Sequence, residues 1–172
     1  YVRELQTLLR QRQDEVRERN REINDGTLAA VADPKLRRPI PAIEDVPPAL
    51  NFAPLENAAN ALTRAADRYK AAAAKAGTDT AMLRQVNARL IQAERQFIDE
   101  GGLPRRPWYR HLLYAPGFYT GYGVKTMPGV REGIEQKRWA EAEKEVLRIA
   151  AALDRETALV NGAAADLEKA AR

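Results

Sequence analysis

From Lys137 to Lys169 the sequence repeats an apolar or small residue at heptad spacing: Trp139, Ala142, Val146, Ile149, Leu153, Val160, Ala163 and Leu167, with Glu156 as the one interruption. A period of this kind held for so long reads as an amphipathic α-helix whose stripe must be covered by other helices. Gly162 inside it costs up to about 1 kcal/mol relative to alanine, and its expected use is a close helix crossing.

Three earlier segments carry the same period. Val2, Leu5, Leu9, Arg12, Val16, Arg19 and Ile23 mark a first helix over 1–25, ended by Asp25-Gly26. Its two arginines weaken the stripe, so core contact is expected at the helix ends or partly outside the bundle. A second helix starts near Pro54, a good first-turn residue, with Leu55, Ala59, Leu62, Ala66, Tyr69 and Ala73 on its face and Gly77 at its end. A third is capped by Thr78 or Asp79, shows Leu83, Val86, Leu90, Ala93 and Phe97, and stops at Gly101-Gly102. The short turn between these two makes them antiparallel neighbours. The expected fold is all-α: an antiparallel up-down four-helix bundle with a Pro-rich first connection (26–50) and a long Gly/Pro/aromatic loop (101–129) between helices 3 and 4.

The first connection holds five of the ten prolines, which disfavour helix at and before their positions. Leu28, Val31, Ile40, Ile43, Val46 and Leu50 make it more apolar than a flexible linker, so it should wrap the surface and pack against something. The 172 residues suit one domain. Periodicity already runs at Val2 and still runs at Ala170, as expected of a piece of a longer chain. No run of about 20 apolar residues suggests a membrane span. There are no cysteines, hence no disulfide or thiolate metal site. The charge of +4 is spread out. Only Lys35-Leu36-Arg37-Arg38 and Arg105-Arg106 concentrate it, which argues against nucleic acid as a partner. The single histidine, His111, falls in a loop, where no Glu-x-x-His pair can build a di-metal bundle.

The loop 101–129 is too long for a bundle connection. It contains six of the ten glycines, four prolines and six of the eleven aromatic residues, a composition that suits a fixed, functional shape. Trp108, Leu112, Leu113 and Tyr114 are expected to close one end of the bundle. Phe118, Tyr119 and Tyr122, set among glycines, are expected to touch another domain or a ligand. Arg110 and His111 are further interface candidates, with a structural hydrogen-bonding role the simpler expectation for the histidine.

The run Gly102-Leu103-Pro104-Arg105-Arg106-Pro107-Trp108-Tyr109-Arg110-His111-Leu112-Leu113-Tyr114-Ala115-Pro116 resembles the signature of the transferrin receptor-like dimerisation domain, the C-terminal helical part of glutamate carboxypeptidase II and its bacterial relatives. Leu50-Asn51-Phe52-Ala53-Pro54-Leu55, Ala93–Asp99 and Pro128-Gly129-Val130 are similar to other stretches of that family. The resemblance implies a non-catalytic dimerisation domain over 1–172 that also completes the substrate pocket of a zinc peptidase. It implies a homodimer and contact with the parent chain's own peptidase domain. That missing domain would hold two zinc ions and every catalytic residue, so neither a metal nor a catalytic site is expected here. The parent would be periplasmic or extracellular. Tyr122 matches the family tyrosine that binds a carboxylate of the substrate's C-terminal residue, a role a phenol can fill by donating its hydroxyl. Glutamate-selective members have a lysine just before it. Here that residue is Gly121, so the resemblance does not carry glutamate preference with it, and Lys125 could replace the cation only in a differently folded loop. Two other functions compete: a stand-alone helical scaffold or adaptor for a protein partner, and an enzyme in which Tyr122, His111 and Arg110 converge on a pocket.

Overall fold

A computed structural model describes residues 1–31, 39–77 and 79–170. The basic run at 35–38, Pro34 and the cap candidate Thr78 lie outside the described residues. The stripe read from the C-terminal third forms α6, Trp139–Ala170. Ala142, Val146, Ile149, Leu153, Ala163 and Leu167 are buried along it, and so is the interrupting Glu156.

Helix α3 is Ala53–Ala73, started by Pro54 and by Asn51, whose side chain accepts from the Ala53 N–H at 3.0 Å. It buries Leu55, Ala58, Ala65 and Ala72, with Leu62 and Tyr69 partly covered beside them. Alanines seven residues apart leave little side chain between the two axes, and α3 makes the most extensive helix contact of the fold with α6. Leu55 and Ala58 share a core with Ala142–Leu153, whereas Ala72 packs with Ala163, Ala164 and Leu167. The two helices therefore run in the same direction.

Helix α4, Thr80–Leu90, is capped by Asp79, whose carboxylate accepts from the Ala81 N–H at 2.9 Å. Met82 and Val86 pack on the C-terminal end of α6, and Arg89 reaches Asp166 at 2.9 Å. Further along, Arg155 of α6 donates to the Gln96 carbonyl at 2.6 Å. Rising numbers on one partner meet falling numbers on the other, so α4 runs against α6.

Four expectations need correction. The third helix stops at Leu90 rather than near 100 and gives way to a 3-10 turn, Glu94–Phe97. A helix running on to 100 is prevented downstream: the Phe97 carbonyl accepts from the Leu112 N–H at 2.9 Å and the Asp99 N–H donates to the Arg110 carbonyl at 3.0 Å. Backbone groups committed to that pairing cannot continue a helix. Second, the protein is not all-α. Tyr114–Pro116 (β1) and Val124–Thr126 (β2) form an antiparallel pair in the register Tyr114↔Thr126, Ala115↔Lys125, Pro116↔Val124. Ala115 is buried between exposed neighbours, the two-residue period of a half-covered strand. Third, the predicted loop ends inside a helix, α5, Pro128–Glu135.

Fourth, the first helix is not a full stave of a four-helix bundle. Of α1, Val2–Asn24, only Leu5 and Leu9 are buried. Beyond Leu9 the stripe is interrupted by Arg12 and Arg19, and the helix is accompanied instead by the proline-rich segment after Pro39. Asn20 exchanges hydrogen bonds with the Glu44 backbone at 2.6 and 3.0 Å, and Gln13 donates to the Pro47 carbonyl at 3.0 Å. Pro47 and Leu50 are buried, but Ile40, Ile43 and Val46 stay exposed. A single helical turn, α2 (Thr27–Ala30), begins that connection. No helix among the described residues is long and apolar enough to cross a membrane.

Candidate functional site

Little regular secondary structure holds the segment between Asp99 and Pro128, so side chains must fix it. Its entrance is set by Gly102, at φ +60°. A Cβ there would lie 2.2 Å from the Pro107 carbonyl oxygen, so only glycine fits both the backbone and the space. Arg148 of α6 spans the entrance. It donates to Asp99 at 2.6 Å, to the Gly102 carbonyl at 2.8 Å and to Glu145 at 2.7 Å. Burial alone would raise the Asp99 pKa, but its bonds to Arg148 and to the Gly101 N–H outweigh that and hold it below the usual carboxylate value. Glu145 is more deeply buried, and desolvation raises its pKa despite Arg148. Its carboxylate lies where a Cβ on Gly129 would come within 2.5 Å, which accounts physically for glycine after Pro128 at the start of α5.

The next two arginines point to different elements. Arg105 makes a two-bond contact with Glu141 at 2.8 and 2.6 Å. Arg106 turns inward, with its side chain 7% exposed, and meets Glu132 of α5, 3% exposed, at 2.7 Å. Its other terminal nitrogen donates to the Pro116 carbonyl at 2.5 Å, and the Phe118 N–H donates to the same Glu132 oxygen at 2.9 Å. The guanidinium also lies over the rings of Phe118 and Tyr109, at 5.6 and 5.9 Å. One buried ion pair thus grips the chain on both sides of Gly117, where β1 ends and the turn begins.

The turn is closed by Gly117 N–H to the Gly123 carbonyl at 2.9 Å and Gly121 N–H to the Gly117 carbonyl at 3.2 Å. Phe118 and Tyr119 meet edge to face at 4.7 Å. Tyr119 is 74% exposed and Tyr122 fully exposed. Gly121 has φ +61° and open space around a notional Cβ, so the backbone angle rather than crowding disfavours a side chain before Tyr122. Lys125 does not supply a free cation there, because its ammonium pairs with Glu135.

Arg110 and His111 are held elsewhere. Arg110 pairs with Glu100 at 2.9 Å on the surface. His111 stacks on Tyr114, with ring centroids 4.1 Å apart, and its Nδ1 accepts from the Leu113 N–H at 3.3 Å. Its Nε2 faces Glu94 at 3.6 Å, and Glu94 accepts from the Tyr114 hydroxyl at 2.5 Å. Burial lowers the His111 pKa, and Glu94 only partly offsets this. No contact joins Arg110, His111 and Tyr122 into a pocket. Among the described residues no group of three or more His, Asp or Glu side chains could hold a metal ion. Leu112 and Leu113 do pack on the core, but Trp108, expected to close the bundle end, is 75% exposed, and Tyr114 is 40% exposed. Sequence reasoning missed Glu132 and saw Arg106 as half of a basic dipeptide and as part of the family signature, with no inward role. The available signal was weak: Glu132 falls two residues after Val130 and two before Ile134, on a short segment that also carries Arg131.

The family model for the transferrin receptor-like dimerisation domain matches residues 50–161. The chain is 34% identical over 87 residues to an Arabidopsis thaliana protein named "Probable glutamate carboxypeptidase LAMP1", covering 46% of this chain and 13% of that one. It is 42% identical over 69 residues to an inactive zinc metalloprotease of Schizosaccharomyces pombe, covering 40% and 9%. It is 30% identical over 125 residues to aminopeptidase NAALADL1 of Rattus norvegicus, covering 62% and 15%. The chain therefore spans 9–15% of the length of these relatives. With the Arg-Pro-Trp-Tyr-Arg-His and Pro-Gly-Val stretches inside the matched region, the chain belongs to the transferrin receptor-like dimerisation domain family.

Proposed function

We propose that this chain is a non-catalytic domain of a glutamate carboxypeptidase-like zinc peptidase, joining two subunits and completing the substrate pocket. One observation carries the reading: a turn bearing Phe118, Tyr119 and Tyr122 is anchored by a buried ion pair, while the Tyr119 and Tyr122 side chains stay exposed. Anchoring a turn this firmly has no use for the fold's own core, since Tyr122 buries nothing. Rigid aromatic side chains on a fixed support are what a partner surface or a ligand carboxylate requires.

Tyr122 is assigned to the substrate's C-terminal carboxylate, with its hydroxyl as donor. Phe118 and Tyr119 are assigned to the contact with the peptidase domain, and the zinc ions and catalytic groups to that domain. Arg110 and His111 act structurally, given their local partners. Two relatives whose names describe peptidases and one named inactive are each similar to part of this chain, which supports a role separable from catalysis. Periplasmic or extracellular placement of the parent goes with this reading. The test is Tyr122→Phe in the parent peptidase. The expected result is a KM raised at least tenfold with kcat within about threefold, the pattern of lost ground-state binding. Unchanged KM would overturn the assignment of Tyr122.

A further inference from the structure

The buried pair Arg106–Glu132 has a consequence beyond stability. It joins four groups: the Pro116 carbonyl at the end of β1, the Phe118 N–H at the start of the turn, the Phe118 ring under the guanidinium, and α5 through Glu132. Beyond Gly117 three backbone bonds close the turn, from Gly117 to Gly123, from Gly121 to Gly117 and from Tyr122 to Thr120, all within the turn itself. Three of the seven residues from Gly117 to Gly123 are glycines, which restrain the backbone least. The direction in which Tyr119 and Tyr122 project is therefore set where the turn leaves β1, and the charges that set it are Arg106 and Glu132.

We propose that Arg106 and Glu132 are positioning residues for the turn 117–123: they fix the orientation in which Tyr122 is presented, without touching a ligand themselves. This rests on the reading of Tyr122 above for its functional meaning, but not for its structural content. A guanidinium suits the task because its planar fork can serve a carboxylate and a carbonyl at once while its face lies over an aromatic ring. A lysine at 106 offers one centre and no plane, so it would keep the charge and lose the direction.

Hydrogen–deuterium exchange on the 172-residue chain tests the structural content. Arg106→Met is expected to speed exchange at the Phe118 and Gly121 amides at least tenfold while Val146 and Ile149 of α6 keep their protection. Arg106→Lys should resemble Arg106→Met at these two amides. If Arg106→Met fails to fold, Glu132→Ala provides the same measurement, since it removes both the partner of Arg106 and the acceptor of the Phe118 N–H. With either variant, unchanged exchange in the turn, or equal loss of protection in the turn and α6, would overturn the proposal. Kinetics of the parent peptidase then separate the two readings. A raised KM with kcat preserved in the same variant supports both. Faster exchange at Phe118 with KM unchanged leaves the positioning role standing and removes substrate contact by Tyr122.

Discussion

Replacing Glu156 with leucine should stabilise the protein. Glu156 occupies the core stripe of α6 between Leu153 and Val160, is 8% exposed, and its Oε2 has no hydrogen-bond partner among the described residues. Burial raises its pKa, and the nearby Glu94 carboxylate pushes in the same direction. An unsatisfied buried polar group costs about 1–3 kcal/mol, and leucine at the same place restores the apolar stripe without overfilling it. The expected gain at pH 7 is about 1–3 kcal/mol, which for a domain of this size is a rise in melting temperature of roughly 3–10 °C. The sign with pH follows from linkage. A carboxyl whose folded-state pKa lies above its unfolded value of 4.5 destabilises the fold at neutral pH, and the penalty is relieved as pH falls through the folded value. The advantage of Glu156→Leu must therefore shrink between pH 7 and pH 4. Thermal unfolding by circular dichroism over that range is the assay, with Glu156→Gln as a control that removes charge but keeps the polar group. A lower melting temperature for Glu156→Leu at pH 7, or an advantage independent of pH, would refute the reasoning.

Three further outcomes follow from the loop. Gly102→Ala places a Cβ 2.2 Å from a backbone oxygen at φ +60° and should cost at least about 2 kcal/mol in urea unfolding. A neutral effect would mean that the loop entrance adapts. His111 has a folded-state pKa below its ordinary 6.5 because of burial, so the stability it contributes is present above pH 6.5 and lost as pH falls through the folded value. His111→Phe should gain on the wild type as pH drops from 7 to 5, and a constant difference in melting temperature contradicts this. Tyr122→Ala should leave the melting temperature within about 1 °C, because surface substitutions away from packed features rarely exceed 0.5 kcal/mol. A larger drop would show that Tyr122 packs on the protein itself.

How much of this the sequence reveals depends on how local each cause is. The α6 stripe is local, and every buried position named on it follows from spacing alone, with Glu156 its one exception in type. In α3 the large residues Leu55, Leu62 and Tyr69 fall on the predicted face and Ala59 packs beside them, but the fully buried alanines are Ala58, Ala65 and Ala72, while Ala66 and Ala73 are exposed. Both sets satisfy helical spacing in a helix so rich in alanine, and only the partner decides between them. The end of α4 and the pairing of β1 with β2 depend on residues that meet across the loop, so periodicity ran past one and missed the other. The ion pair that anchors the turn joins residues 26 positions apart. Nothing local marks Arg106 as its inward member and Arg105 as its outward one. The family signature located the candidate loop without showing what holds it.

The central claim is that this domain assembles a peptidase rather than carrying its chemistry. Light scattering on the parent peptidase, with and without the segment 1–172, measures that directly. The intact protein is predicted to be a dimer, and the protein lacking the segment a monomer at the same concentration. A parent that stays dimeric after the deletion would contradict the account.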